Sequence, residues 1–84
     1  MSRRLAELTE GLIEAVGLKP RSTSDRARRI REAAKAVAED RMGLCEAVER
    51  VGYRVPSFYD NFEMSDAAET LHRGFIDIRR EAGR

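Results

Sequence analysis

The 84-residue sequence has no tryptophan, a single cysteine, two prolines, and only two tyrosines and three phenylalanines. Because Cys45 is alone, an internal disulfide is excluded, and with only His72 to join it no plausible zinc site remains. No apolar run approaches the roughly 20 residues of a membrane span, and the N-terminus lacks the apolar stretch of a signal peptide. We therefore expect no metal, no cofactor, no membrane contact and a cytoplasmic location.

The residues that are abundant favour helices. Charged residues make up 37% of the chain and hydrophobic ones 42%, a mixture typical of amphipathic helices rather than of a sheet. A chain this short buries only about 60% of the surface that its unfolded form exposes, so its core must be small and locally built. We predict an all-α fold, a single domain over residues 1–84 with about five helices.

The first half of the chain contains two predicted helices. Helix one spans about 2–16 and is closed by Gly17. The segment RSTSD, residues 21–25, offers several N-caps for helix two, and Ser22 with Asp25 has the form of a capping box, with Asp in place of Glu. Helix two is predicted to begin there. The apolar stripe of helix one is Leu5, Leu8 and Leu12, continued by Ala15 or Val16, and that of helix two is Ala27, Ile30, Ala34 and Val37.

The middle of the chain, residues 43–62, predicts a helix-turn-helix. A short third helix from Leu44 to Val51 is closed by Gly52, placed as a left-handed C-cap. Pro56 suits the first residue of a fourth helix, because its missing N–H would have no partner there. The apolar side of this fourth helix is Phe58, Tyr59 and Phe62. Two short helices joined by a tight turn are the architecture of this DNA-binding motif.

A fifth helix opens at Ser65 as N-cap. Its apolar stripe follows a strict three-four alternation through Ala68, Leu71, Phe75, Ile78 and Ala82. This pattern favours a docking or dimerising face. Helix one and the C-terminal helix are thus the predicted dimerisation elements of a homodimer.

The stretch EAVERVGYRVPSFYDNF, residues 46–62, resembles the DNA-binding domain of the tetracycline-repressor (TetR) family, whose comparable stretch is roughly IAxxAGVSxxTxYxxF. The matching positions are Ala47-Val48, Val51-Gly52, Ser57, Tyr59 and Phe62, with every internal spacing kept. The resemblance covers about 30–71 and lacks the family's large ligand-binding half. Homeodomain-like modules and small phage terminase subunits carry similar phrases, so a DNA-packaging role stays open as an alternative.

The resemblance implies a sequence-specific protein for double-stranded DNA, a small transcriptional regulator from a phage, plasmid or bacterial genome. Arginines of helix two can cross a phosphate strand while polar side chains of helix four reach phosphates and base edges. The predicted DNA-binding residues are Arg54, Ser57, Tyr59, Asn61, Arg26, Arg29 and Ser65.

Charge placement supports this interpretation in one segment and opposes it in another. The formal net charge is only +1, yet residues 19–41 carry eight basic and four acidic side chains, and residues 46–69 carry six acidic and two basic ones. The alternative is therefore a protein-interaction module, such as an adaptor, an antitoxin-like factor or an inhibitor. Its acidic contact face would comprise Asp60, Glu63, Asp66 and Glu69. A helical bundle that only oligomerises is a third possibility.

Catalysis has little support in the sequence. His72 has no Ser or Cys close by in the chain, and its neighbour Arg73 favours a surface position. The adjacent carboxylates Glu39 and Asp40 would point to different sides of a helix, which does not make an acid/base pair. We predict that the protein is not an enzyme.

Overall fold

The structure is a computed structural model that describes residues 2–56 and 63–84. These residues form four helices and no strand, which confirms the all-α class. The helices are α1 (Arg3–Ala15), α2 (Asp25–Ala38), α3 (Leu44–Val51) and α4 (Asp66–Ala82). In the part of the chain that the structure describes, no helix combines the length and the apolar character needed to cross a membrane.

The predicted fourth helix has no counterpart among these four elements. Residues 53–56, including Pro56, are not helical, and residues 57–62 lie outside the described residues. Only the first helix of the predicted helix-turn-helix is therefore confirmed, as α3. The count of five helices and the complete motif stay predictions.

Serine caps start three of the helices. The hydroxyl oxygens of Ser2, Ser24 and Ser65 accept backbone N–H groups of Leu5, Ala27 and Ala68, each at 3.2 Å. These bonds satisfy donors that lack a partner in the first turn of a helix. The predicted cap at Ser65 is thus confirmed.

The predicted capping box at Ser22 is wrong, because α2 begins two residues later and is capped by Ser24. Ser22 belongs to the turn before the helix, where its hydroxyl oxygen accepts the backbone N–H of Ser24 at 3.2 Å. Its backbone carbonyl accepts a hydrogen bond from the guanidinium of Arg31. Ser22 therefore lies in the turn before α2, and Ser24 is the cap.

Helix α3 ends where the sequence predicts, at Val51 with Gly52 after it. Gly52 has φ 115°, a left-handed conformation that glycine adopts without the steric cost of a Cβ. The N–H of Tyr53 bonds to the carbonyl of Val48 at 3.3 Å, and that of Gly52 bonds to Glu49 at 2.9 Å. This pair of bonds is a Schellman motif, and it turns the chain sharply after α3.

The core lies between α2 and α4, the two helices that contact all three others, whereas α1 makes no contact with α3. The predicted stripe of α2 points inward, and Ile30 and Val37 are almost completely buried. The stripe of α1 is confirmed in part: Leu5 and Leu12 are buried, Leu8 and Val16 are half-buried and Ala15 is exposed, whereas Ile13, outside the predicted stripe, is 0% exposed. The stripe of α4 is also internal. Ala68, Leu71, Phe75 and Ile78 are all 0% exposed, and only Ala82 is at the surface. This stripe therefore builds the core, so its side chains are not available to a second copy.

An ion pair joins α1 to α2. The guanidinium of Arg31 donates from Nε and Nη2 to the two carboxylate oxygens of Glu10, at 2.9 and 2.8 Å. These hydrogen bonds are the main cause that lowers the pKa of Glu10 below its usual value, against the opposing effect of partial burial. A bidentate ion pair of this kind fixes the relative orientation of the two side chains as well as the distance between them.

We expect Glu10→Gln to lower the free energy of unfolding by about 1 kcal/mol at pH 7, a modest value because both side chains are about one-third exposed. A carboxyl whose pKa is lowered by folding stabilises the fold above its unfolded pKa of about 4.3 and loses that contribution as the pH falls through the folded pKa. The difference between the two proteins should therefore shrink as the pH falls and disappear below the folded pKa of Glu10. Urea unfolding followed by circular dichroism at several pH values measures it.

Glu14→Gln is the matched control, since Glu14 lies on the same helix with an exposed side chain. It should change the free energy of unfolding by less than about 0.5 kcal/mol at any of these pH values. A Glu10→Gln effect that stays the same size from neutral to acidic pH would show that the carboxylate charge is not the source of the stabilisation.

Candidate nucleic-acid interface

A surface with more cations than anions lies between α2 and α3. Residues of the two helices and of the turn between them line a groove of about 540 Å³ that is open to solvent, called the α2–α3 groove below. Its apolar floor contains Ala33, Ala36 and Met42. Its charged lining consists of Arg29, Lys35, Arg41, Arg50 and a single carboxylate, Glu32. Four cations against one anion make this groove attractive to a polyanion.

Two arginines of α2 converge on the end of α3. A Cβ placed on Gly52 would lie 3.7 Å from Nη2 of Arg26 and 3.9 Å from Nη1 of Arg29. The two guanidinium groups thus approach the same point beside the C-terminus of α3. Helix C-termini carry partial negative charge, which offsets part of the repulsion between the two cations.

Tyr53 holds one of these guanidinium groups in place. The guanidinium carbon of Arg26 lies 4.8 Å from the centroid of the Tyr53 ring. Nη1 of Arg26 also donates a hydrogen bond to the Tyr53 hydroxyl at 3.0 Å. A cation–π contact combined with a hydrogen bond restricts a long side chain that would otherwise sample many rotamers.

The four arginines of α2, at positions 26, 28, 29 and 31, do not all face the same side of the helix. Arg26 and Arg29 are three residues apart and share the side that faces α3. Arg31, two residues further on, faces α1 and is held by Glu10. Arg28 is exposed and pairs with Asp25 within its own helix. Only half of the run therefore belongs to the candidate interface.

Carboxylates reduce the charge of the interface without cancelling it. Asp25 pairs with Arg29 at 3.1 Å, and Glu39 pairs with Arg41 at 2.6 Å. The hydrogen bond from Arg41 is the main cause that lowers the pKa of the Glu39 carboxyl. Within the described residues Arg50 has no ion-pair partner, so its full charge faces the groove.

The predicted contact residues are distributed unevenly. Arg26 and Arg29 lie together, as described above, and Arg54 is exposed two residues beyond Gly52. Ser65 is exposed and caps α4, so its hydroxyl oxygen is already engaged by the N–H of Ala68. The remaining predicted contacts, Ser57, Tyr59 and Asn61, lie outside the described residues.

Sequence reasoning missed four residues of this surface, namely Lys35, Arg41, Arg50 and Tyr53. The role of Tyr53 depends on a contact with Arg26, 27 residues earlier in the chain, for which the sequence carries no local signal. Arg50 faces the groove because of how α3 crosses α2, and that crossing is also set by tertiary packing. A signal for Lys35 and Arg41 was present, because both belong to the basic quarter of the chain.

Three of the four acidic residues of the alternative hypothesis are described by the structure and lie at or just before the start of α4. Asp66 and Glu69 occupy its first turn, where negative charge stabilises a helix through its dipole. Glu69 also lies 3.7 Å from Arg73. Glu63 is exposed ahead of the helix, and Asp60 lies outside the described residues. Two of these four carboxylates thus have a role in helix stability that needs no partner protein.

Comparison of this chain with protein-family models, with curated proteins and with solved structures finds no match. The functional proposal therefore depends on the chemistry of the α2–α3 surface and on the resemblance of residues 46–62 to a DNA-binding motif.

Proposed function

We propose that this protein binds double-stranded DNA in a sequence-specific manner and acts as a small transcriptional regulator. The observation that carries the proposal is the convergence of Arg26 and Arg29 on the end of α3, beside a groove whose lining includes Lys35, Arg41 and Arg50.

Paired guanidinium groups are well suited to a DNA phosphate. Each can donate two parallel N–H bonds to phosphate oxygens, and an anion between the two relieves their mutual repulsion. Tyr53 already orients Arg26, so less side-chain freedom is lost on binding. The groove cations extend this contact along α2 and α3 over more than one phosphate.

Sequence discrimination belongs to the residues that follow α3. Phosphate contacts position a protein on the duplex, but base edges must be contacted to specify a sequence. The resemblance assigns that role to Arg54, Ser57, Tyr59 and Asn61. The turn at Gly52 and Tyr53 would connect these residues directly to the phosphate-binding arginines.

Selection from a random duplex library followed by fluorescence anisotropy tests the proposal. We expect enrichment of a defined site, and tighter binding of that duplex than of a shuffled duplex by about 1000-fold or more at physiological salt. The affinity should fall steeply as salt is raised, because bound phosphates release counterions.

Two outcomes would contradict the proposal. Binding that does not distinguish the selected duplex from the shuffled one would remove sequence specificity, and no binding near physiological salt would remove DNA as the ligand. In the second case the acidic residues Glu63, Asp66 and Glu69 would become the first candidates for a protein contact.

A further inference from the structure

A second groove, between α1 and α4, faces away from the core and is called the α1–α4 groove below. It has a volume of about 370 Å³ and is open to solvent. Its floor consists of two leucines and two glycines, namely Leu8, Leu12, Gly11 and Gly74. None of its lining residues also lines the α2–α3 groove, and α1 makes no contact with α3.

The two floor glycines differ in what surrounds them. A Cβ on Gly74 would lie 2.5 Å from Cδ1 of Leu12, so this glycine allows α1 and α4 to pack closely within the domain. A Cβ on Gly11 would have nothing within 4 Å, and the residue is exposed. Glycine within a helix is destabilising relative to alanine. No contact within the described chain explains why a glycine occupies this position.

The rim of the α1–α4 groove carries charges of both signs. Arg4 and Glu7 project from α1, and Arg73 and Asp77 from α4. Asp77 has no ion-pair partner among the described residues. The other three rim charges take part only in exposed pairs: Glu7 lies 3.4 Å from Arg3 and 4.0 Å from Arg4, and Arg73 lies 3.7 Å from Glu69. The rim therefore offers two cations and two carboxylates that are weakly engaged within the domain.

This charge pattern selects among partners. A nucleic acid or an anionic membrane favours a surface of one sign, whereas a balanced rim is complementary to a surface with the same balance. A two-fold axis brings each residue of an interface opposite a different residue of the same patch, so the arginines of one copy can face the carboxylates of the other.

We propose that two copies of this chain pair through the α1–α4 groove, with the second copy approaching closely at Gly11. The proposal goes beyond DNA binding, because the pairing requires no DNA and leaves both α2–α3 grooves accessible. It also places the dimer contact on the outer sides of α1 and α4, whereas the core stripe of α4 stays inside each domain.

Sedimentation velocity over about 5 to 500 µM tests the pairing in the absence of DNA. We expect a reversible transition from the 9.5 kDa monomer to a dimer. Gly11→Arg fills the floor of the groove without removing any internal contact, and should raise the dimer dissociation constant more than about tenfold. Asp77→Arg, a second variant on the rim, should weaken the dimer in the same direction.

Ala6→Arg is the matched control. It adds the same side chain to an exposed position of α1 that does not line the groove, and should dimerise like the unsubstituted chain. Helical circular dichroism checks that each variant is folded. The proposal is overturned if the unsubstituted chain stays monomeric throughout, if Gly11→Arg and Asp77→Arg both dimerise normally, or if Ala6→Arg disrupts the dimer as strongly as Gly11→Arg.

Discussion

Phe75→Ala is expected to remove a large part of the stability of this domain. Phe75 is 0% exposed and lies on α4, one of the two helices that contact all the others. Truncating a buried phenylalanine costs about 3–5 kcal/mol through lost burial and the cavity left behind. A domain of this size has a total stability of about 4–12 kcal/mol. Urea unfolding should therefore show a much lower midpoint, or an unfolded population without denaturant.

Phe75→Leu separates the effect of the cavity from that of the aromatic ring. It keeps much of the buried volume and should cost less than about 2 kcal/mol. Equal midpoints for Phe75→Ala and the unsubstituted chain would contradict the position of Phe75 at the centre of the core.

The double substitution Arg26→Ala with Arg29→Ala should have the largest effect on function. Both guanidinium groups converge beside Gly52, so the double variant removes the proposed phosphate clamp as a unit. Losing two phosphate contacts should weaken duplex binding about 10- to 100-fold near 0.1 M salt. The helical content should be retained, because both side chains are at least half exposed or lie at the surface. Fluorescence anisotropy with the selected duplex measures the loss.

Arg3→Ala with Arg80→Ala is the control for total charge. It removes the same two positive charges from exposed positions that do not line the α2–α3 groove. Its affinity should fall by less than about threefold, since charges far from the contact act only through a screened field. Equal losses in the two double variants would show that net charge, and not the arginine pair, governs binding.

Local sequence signals predicted most of the helices. The three-four spacing of apolar residues located α1, α2 and α4, and Gly52 correctly ended α3. The signal was insufficient where several caps compete. Both Ser22 and Ser24 can cap a helix, but Ser22 lies in the turn, where its carbonyl accepts a hydrogen bond from Arg31. No local pattern indicates which of the two serines is the cap.

An apolar stripe also does not specify its partner. The α4 stripe suggested a docking face, but Phe75 and its neighbours in that stripe are enclosed by the other helices of the same chain. The periodicity of a helix indicates that one side is buried and gives no information on whether the covering surface belongs to the same molecule.

The sequence predicted only part of the candidate interface. Composition singled out the arginine-rich run of α2, and three-residue spacing places Arg26 and Arg29 on one side. The removal of Arg31 from that surface depends on Glu10, 21 residues away in the chain. The contribution of Arg50 depends on the packing of α3 against α2. These are tertiary facts, and a single sequence contains no pattern that identifies them.

The salt dependence of duplex binding tests most directly whether the arginine pair contacts DNA phosphates. A plot of log affinity against log salt concentration should be linear, with a slope of about −0.9 for each phosphate neutralised. The Arg26→Ala and Arg29→Ala double variant should have a slope shallower by about 2 units, whereas the Arg3→Ala and Arg80→Ala control should keep the slope of the unsubstituted chain. An unchanged slope in the first variant would contradict the proposal that these two arginines bind phosphate.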